Sequence, residues 1–332
     1  MLLAITVSVS AQKRLGVYAV GFYNLENLYD PHSTDERRDR EFSPTGAKSW
    51  TQEKYQKKLN NLAYVISKLG KEYTPAGAAI LGVSEIGNRK VLEDLINTGE
   101  LKEIGYEIVH YDSPDRRGVD VGLLYNPLLF TVTSSYPYPY INPDNPDFRT
   151  RDQLLVSGYL AGEPFHVIVN HWPSRYGAKS SESREYAASI SKHIADSIYN
   201  ADPKAKVVIM GDLNDDPTDK SVRIVLDAKK KQSEVKPGGL FNTMWGFFDK
   251  GIGSLSYQGK WNLFDQIVVS ETLLGKDRST LKYWKAEIFN REFLLQKEGR
   301  YKGYPLRTYS GNTFQNGYSD HFPVLIYLVK EL

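Results

Sequence analysis

The 332-residue sequence predicts a layered α/β fold. Three observations point to it. Apolar runs of strand length recur along the chain, two longer stretches carry apolar residues at helical spacing, and Asp-, Pro- and Gly-rich turns separate them without a composition break that would mark a domain boundary. At this length, with 41% hydrophobic residues, the chain can bury a sizeable core, which excludes a disordered protein.

The elements follow in order. Leu2 to Val9 is apolar and ends at Val9-Ser10-Ala11 before Gln12, like the end of a secretory signal with small residues at its cleavage site. A basic leading segment is missing, and a first β-strand is the alternative. Residues 1–11 are therefore expected to be a signal peptide of an exported protein, periplasmic or extracellular, and residues 12–332 a single domain; without the signal the protein would be cytoplasmic. Val17 to Tyr23 reads as a strand that stops at Asn24. From Thr51 the spacing turns helical: Tyr55, Leu59, Leu62, Ile66 and Leu69 share a face, with Thr51 to cap the start and Gly70 the end. Ala78 to Val83 is the next strand, ending near Glu85. Tyr106 to His110, Val119 to Tyr125 and Leu128 to Thr133 follow as strands. The Pro-rich stretch Tyr136 to Pro146 is expected to cross between two halves of one sandwich. Gln153 to Leu160 and Phe165 to Val169 bracket a turn at Gly162. Tyr186, Ile190, Ile194 and Ile198 mark a second helix face; Lys206 to Met210, Leu263 to Val269 and Phe322 to Val329 complete the strands.

Composition narrows the chemistry. There is no Cys, so disulfides, thiolate nucleophiles and Cys-bound zinc are excluded, and any metal must sit on oxygen or imidazole. Lys plus Arg number 42 and Asp plus Glu 40, a net charge of +2 that gives no whole-protein attraction for polyanions. Past the leader no run approaches the ~18 to 20 apolar residues of a membrane span, so no stable membrane insertion is expected.

Polar residues gather at strand ends. Asn24, Glu85, Asn170, His171 and Asp212 each follow an apolar run, and Asp320-His321 precede one. If the last strand is antiparallel to its neighbours, all of them meet at one rim, as in a site built on a rigid sheet. Taken singly, each could be a turn Asn, a capping Asp or a satisfied His. Carboxylates and amides without thiolates are hard ligands for Mg²⁺, Mn²⁺ or Ca²⁺, and two histidines can hydrogen-bond or protonate a phosphoryl group. Metal-assisted phosphoester hydrolysis is the reaction class that follows.

Phe22-Tyr23-Asn24-Leu25-Glu26-Asn27-Leu28, Gly82-Val83-Ser84-Glu85, Asn170-His171-Trp172-Pro173-Ser174-Arg175, Gly211-Asp212-Leu213-Asn214, Phe264-Asp265-Gln266-Ile267 and Ser319-Asp320-His321-Phe322-Pro323 resemble, in order, the motifs of the endonuclease/exonuclease/phosphatase superfamily with its DNase I-like fold. Details are similar to exported or hypothetical members from Bacteroidetes-type bacteria. The resemblance implies a four-layer α/β/β/α sandwich, two packed mixed sheets flanked by helices. It implies Glu85 as the metal-binding glutamate and Asn24 as the amide supporting metal and phosphate. At the place of Glu26 some members carry a second acidic ligand, an exposed or supporting carboxylate being the alternative. Asp212 matches the aspartate that orients or deprotonates the attacking water, and Asn214 its companion on the scissile phosphate. His321 matches the catalytic histidine, with Asp265 orienting it, and Asp320 an aspartate that in some members contacts a metal. His171 stands where nuclease-like members place a phosphate ligand or acid. Asn170, Arg175 and Arg117 are substrate-binding candidates, with a surface pair to Glu182 or Glu185 the alternative for Arg175. Asp120, inside a strand pattern, reads as structural.

The implied partner is a phosphoester, DNA or RNA foremost, hydrolysed with Mg²⁺, Mn²⁺ or Ca²⁺ by in-line attack of water; a phosphatase for a small or lipid-linked phosphoester is the alternative, and an inactive exported binding protein a third. A monomer is expected. Lys54, Lys57 and Lys58, the run Lys229-Lys230-Lys231 and the aromatic loop Tyr301 to Arg307 are basic candidates for a nucleic-acid groove, each with a solvated surface as the alternative.

Overall fold

The computed structural model describes residues 14–35, 40–175 and 181–332, so the candidate signal segment 1–11 lies outside the described residues. In chain order the main elements are β1 (Leu15–Leu28), α1 (Gln52–Lys68), β2 (Ala78–Ile86), α2 (Arg89–Ile96), β3 (Glu107–His110), β4 (Asp120–Tyr125), β5 (Phe130–Tyr138), β6 (Gln153–Leu160), β7 (Glu163–His171), α3 (Ser181–Ala201), β8 (Lys206–Asp212), β9 (Ala228–Lys229), β10 (Leu240–Asn242), β11 (Asp265–Ser270), β12 (Lys282–Ile288) and β13 (Val324–Glu331). No helix among the described residues is long and apolar enough to cross a membrane.

The strands form two large mixed sheets with the orders β12-β13-β1-β2-β4-β3 and β5-β6-β7-β8-β11-β10-β9. Each sheet has a parallel pair at its centre, β1 with β2 and β7 with β8, flanked by antiparallel neighbours, and the second sheet adds the short parallel pair β9 with β10 at its edge. The expected α/β/β/α sandwich is thus observed. Period-two alternation builds its layers. On β7 and β8, Val167, Val169, Val208 and Met210 join the core shared with the first sheet, whereas Ile168, Val207 and Ile209 pack with Ala187, Ala188 and Ile194 of α3. The sheets pack tightly at Gly82 of β2, where a Cβ would lie 2.7 Å from Met210 Sδ and 3.1 Å from Val169 Cγ1.

Helix α1 starts where the sequence places it, with Thr51 Oγ1 accepting the Lys54 N–H at 3.4 Å, and Tyr55, Leu59, Leu62, Ile66 and Leu69 are all buried. The crossing between the halves differs from expectation. The chain passes from the first sheet to the second in the short Asn126–Leu129 turn, and the Pro-rich stretch stays in the second sheet, Tyr136-Pro137-Tyr138 pairing with Leu155, Leu154 and Gln153. Pro137 is tolerated because β5 is an edge strand. The last strand, β13, is antiparallel to β1 with Phe22 opposite Val324, so Asp320 and His321 enter at the rim where β1 and β2 end.

Candidate active site

The rim is built on irregular backbone. Between Asn24 and Leu28 strand β1 advances four residues while β2 advances only from Ser84 to Ile86, and the β2–β4 register also slips at Glu85. Glu26, Asn27 and Glu85 take left-handed conformations with φ of 49°, 54° and 59°. Such bulges re-aim side chains, and Glu has no intrinsic ease in this region. Side-chain bonds hold the shape: Asn24 Oδ1 accepts the Glu26 N–H at 2.9 Å, Glu85 Oε2 accepts the Asn27 N–H at 3.0 Å, and Ser319 Oγ donates to Asn24 O at 2.7 Å.

The second sheet supplies the other half. In the parallel register Asn170 faces Gly211 and His171 faces Asp212. Gly211 has φ +155°, and a Cβ there would lie 2.2 Å from Asn170 O, so only glycine lets β7 and β8 close at the rim. Asp212 stands at the centre. Its Oδ2 accepts Asn24 Nδ2–H at 3.1 Å and lies 3.7 Å from His171 Nε2 and 3.9 Å from His321 Nε2; its Oδ1 accepts the Asn214 N–H at 3.0 Å. Asn214, with φ 50°, also donates Nδ2–H to Trp172 O at 2.9 Å. Asp265, opposite Asp212 across β8 and β11, places Oδ2 2.6 Å from His321 Nδ1. That same oxygen accepts Ser254 Oγ–H at 2.5 Å.

Electrostatics assigns different states to similar groups. Burial works against a charge on His321, but the Asp265 carboxylate outweighs it, with Asp212 and Asp320 adding, and holds the imidazole well above its ordinary value. At His171, whose Nε2 lies 3.7 Å from Asp212 Oδ2, burial and then the Arg151 charge depress the imidazole well below the usual range, so it is neutral. Asp212 is pushed up to about 7, chiefly by burial and also by Asp265 and Glu85, against the pull of His321. For Asp320 burial opposes ionisation, but Arg307, 2.6 Å away, holds the carboxyl below its usual range.

The predicted residues divide into three groups. Asn24, His171, Asp212, Asn214, Asp265 and His321 are linked by the short contacts above; Glu85 joins them through the bulge, and Asp320 lies 3.9 Å from His321 Nε2. Arg117 hydrogen-bonds Asn27 Oδ1 and lies 3.5 Å from Glu85 Oε2, beside the bulge. Asn170, Arg175 and Glu26 are held elsewhere. The Asn170 amide is buried on the α3 side, donating to Ile168 O and Met210 O and accepting from Trp172 Nε1 and Ser191 Oγ; alternation points it away from the rim that His171 faces. Arg175 pairs with Asp215 at 2.9 Å and with Asp219, and covers the Phe264 ring, instead of reaching Glu182 or Glu185; Glu185 pairs with Lys220. Glu26 accepts the Thr308 N–H at 2.7 Å, with Arg307 Nε at 3.5 Å and Lys58 Nζ at 3.7 Å.

That last contact corrects the reading of Lys58 as part of a basic groove, because its side chain is buried and donates to Thr308 Oγ1 and Tyr318 O, both at 2.6 Å. The run Lys229 to Lys231 is paired with Asp227, Asp249 and Glu234 on the surface. Asp120 is structural, accepting from Ser113 N–H and Oγ–H and meeting His110 Nε2 at 3.1 Å. Sequence reasoning gave no role to Ser254, Ser319 or Arg151. Arg151 donates to the carbonyls of His171 and Trp172 and pairs with Asp115 at 3.0 Å, fixing the His171 backbone. None of the three carries a periodic signal, and only Ser319 lies in a quoted motif.

The donor set suits a hard divalent cation. It consists of carboxylate and amide oxygens plus imidazole, Asp265 and Glu85 raise the proton affinity of Asp212, and the buried Asp265 Oδ1 has no hydrogen-bond partner. Asp212, Asp265 and His321 each offer a ligand atom within 4.8 Å of the others, although the short Asp265–His321 hydrogen bond already engages two of them.

Comparison with known proteins gives a consistent picture. Residues 19–330 match the family model described as Endonuclease/Exonuclease/phosphatase family. No curated protein matches the sequence. Solved structures with the same fold include an endonuclease/exonuclease/phosphatase family protein from Bacteroides thetaiotaomicron, 16% identical over 97% of this chain and 98% of that one, with a TM-score of 0.57. A mannosyl-6-phosphatase from the same organism is 15% identical over 94% and 99%, with a TM-score of 0.57. D. rerio TDP2 complexed with a single-strand DNA product is 12% identical over 94% and 98%, with a TM-score of 0.54.

Proposed function

Since the chain belongs to the endonuclease/exonuclease/phosphatase family and is a phosphoester hydrolase, we propose that it is a divalent-metal-dependent phosphodiesterase that cleaves nucleic acid by in-line attack of water. The observation that carries the mechanism is the position of Asp212, buried between two imidazoles of opposite protonation preference and fixed by Asn24 and the Asn214 amide.

Asp212 Oδ2 orients the attacking water and takes its proton; a value pushed up to about 7 suits a base working near neutrality. His321, kept cationic by Asp265, presents Nε2–H to the phosphoryl oxygens and offsets the charge that develops as the new P–O bond forms. His171 is neutral and therefore serves as a hydrogen-bond partner of the phosphate, not as the donor of a stored proton. Glu85 and Asn24 would hold the Mg²⁺ or Mn²⁺, with Asp320 beside them. A divalent cation bound there supplies Lewis-acid stabilisation of phosphate oxygens and of the departing oxygen. No covalent enzyme intermediate is required.

The test is a panel of plasmid DNA, RNA, a bis-nitrophenyl phosphodiester and phosphomonoesters, each with Mg²⁺, Mn²⁺ or EDTA. Diester cleavage that needs metal is the expected result; activity on monoesters alone would replace this reading with a phosphatase.

A further inference from the structure

An open cavity of ≈ 620 Å³ adjoins the site, between the hairpin formed by Leu255–Tyr257 and Lys260–Asn262 and the segment 296–315, and it reaches Arg307 and Asp320. The hairpin is fastened to the catalytic histidine. Leu255 forms a β-bridge with His321, Phe322 N–H donates to Ser254 O at 2.7 Å, and Trp261 stacks on Phe322 with centroids 6.0 Å apart. Trp261 in turn packs edge-on against Tyr304 at 5.3 Å. The wall of the cavity is thereby set relative to His321.

Its lining has a definite chemistry. Tyr257 is 62% exposed and Tyr301 50%, and both line the cavity. The lining holds two arginines and one carboxylate: Arg307 is paired with Asp320, while Arg300 has no ion-pair partner among the described residues and lies over Tyr301 at 5.8 Å. We propose that this cavity takes one nucleotide of a single strand next to the scissile phosphodiester, its base stacked on Tyr257 and Tyr301 and its neighbouring phosphate on Arg300. The proposal rests on the nucleic-acid reading above. A hexose phosphate would use its only phosphate at Asp212 and His321, leaving Arg300 without a counter-charge. The volume is that of a small-molecule site.

The test is fluorescence anisotropy of a fluorescein-labelled single-stranded hexanucleotide, with a fully abasic strand of equal length as comparison, in EDTA so that binding is read without turnover. Wild type should bind the strand with bases about tenfold more tightly. Tyr257→Ala with Tyr301→Ala should erase the difference, and Phe at both positions should keep it. Arg300→Gln should weaken both strands and flatten the salt dependence. If thermal melting shows the double variant unfolded, the exposed Tyr257→Ala alone carries the test. Equal binding of the two strands, or stronger competition by mannose 6-phosphate than by a mononucleotide, would overturn the proposal. Base-dependent binding without cleavage in Mg²⁺ would overturn the nuclease reading and leave the pocket standing; base-indifferent cleavage would do the reverse.

Discussion

His321 Nδ1 lies 2.6 Å from Asp265 Oδ2, and Asp265 is completely buried. The pair joins the entry to β13 in the first sheet to the start of β11 in the second, so this hydrogen bond, with that from Asn24 to Asp212, couples the two halves of the sandwich at the site. Its electrostatic sign is unambiguous. Burial alone would strip the proton from His321, and Asp265 reverses that.

The first prediction is a titration. In the metal-free protein the His321 ring should stay protonated above its ordinary value of about 6.5, as read by NMR of labelled histidine. In Asp265→Asn only Asp212 and Asp320 are left to oppose the desolvation cost, and the ring should titrate at a lower pH than in the wild type. A raised folded-state value means that this charge contributes stability fully below about pH 6.5 and loses it as pH rises through the folded value. An unchanged His321 titration in Asp265→Asn would contradict the assignment.

The second concerns rate. Asp212→Asn keeps the size of the side chain but cannot accept a proton, and kcat should fall by about 10²- to 10⁴-fold with little change in KM. Activity of the wild type should rise with pH on an acid limb at or below 7, because Asp212 must be ionised and a bound cation favours the carboxylate further. It should fall again at alkaline pH as His321 loses its proton. A pH-rate profile with no acid limb would remove Asp212 as the base.

Much of this was legible in the sequence, for identifiable reasons. Strands buried on both faces read as continuous apolar runs, so β1, β2, β7, β8 and β13 were visible, and a polar residue at the end of such a run has few roles other than the rim. The ends themselves were misjudged, since the predicted strands stop at Tyr23 and Val83 where the real ones continue through bulges. Side-chain direction past the core was also hidden. Asn170 and His171 are adjacent letters, yet alternation sends one under α3 and the other to the site. Lys58 looked like surface charge because its burial depends on Glu26, Thr308 and Tyr318, which are remote in sequence.

Glu26 gives the third prediction. Its carboxylate is answered by Lys58, Arg307 and the Thr308 amide, so it should not be a metal ligand. Calorimetric Mg²⁺ affinity should drop about 10- to 100-fold in Glu85→Gln and stay within about threefold in Glu26→Gln. Stability should behave in the opposite way. Removing Glu26 leaves Lys58 buried without its counter-charge, a loss of about 3–5 kcal/mol, and Glu26→Gln with Lys58→Met should recover part of it.

The fourth compares two glycines in urea denaturation. Gly211→Ala puts a methyl group 2.2 Å from a backbone carbonyl oxygen at φ +155°, where neither partner can yield. It should cost about 3 kcal/mol or more. Gly82→Ala meets chiefly the flexible end of Met210, which can shift, and should cost about 1–2 kcal/mol. Equal effects would mean that the β7–β8 approach is not the tighter constraint.

The central claim is metal-dependent hydrolysis organised by Asp212 and the Asp265–His321 pair. The most direct measurement is the rate of bis-nitrophenyl phosphate hydrolysis by wild type in Mg²⁺, by wild type in EDTA, and by folded His321→Ala in Mg²⁺. Loss of activity in EDTA, together with a fall of at least about 10²-fold in His321→Ala, is the predicted result. Near-wild-type hydrolysis either in EDTA or by His321→Ala would contradict it.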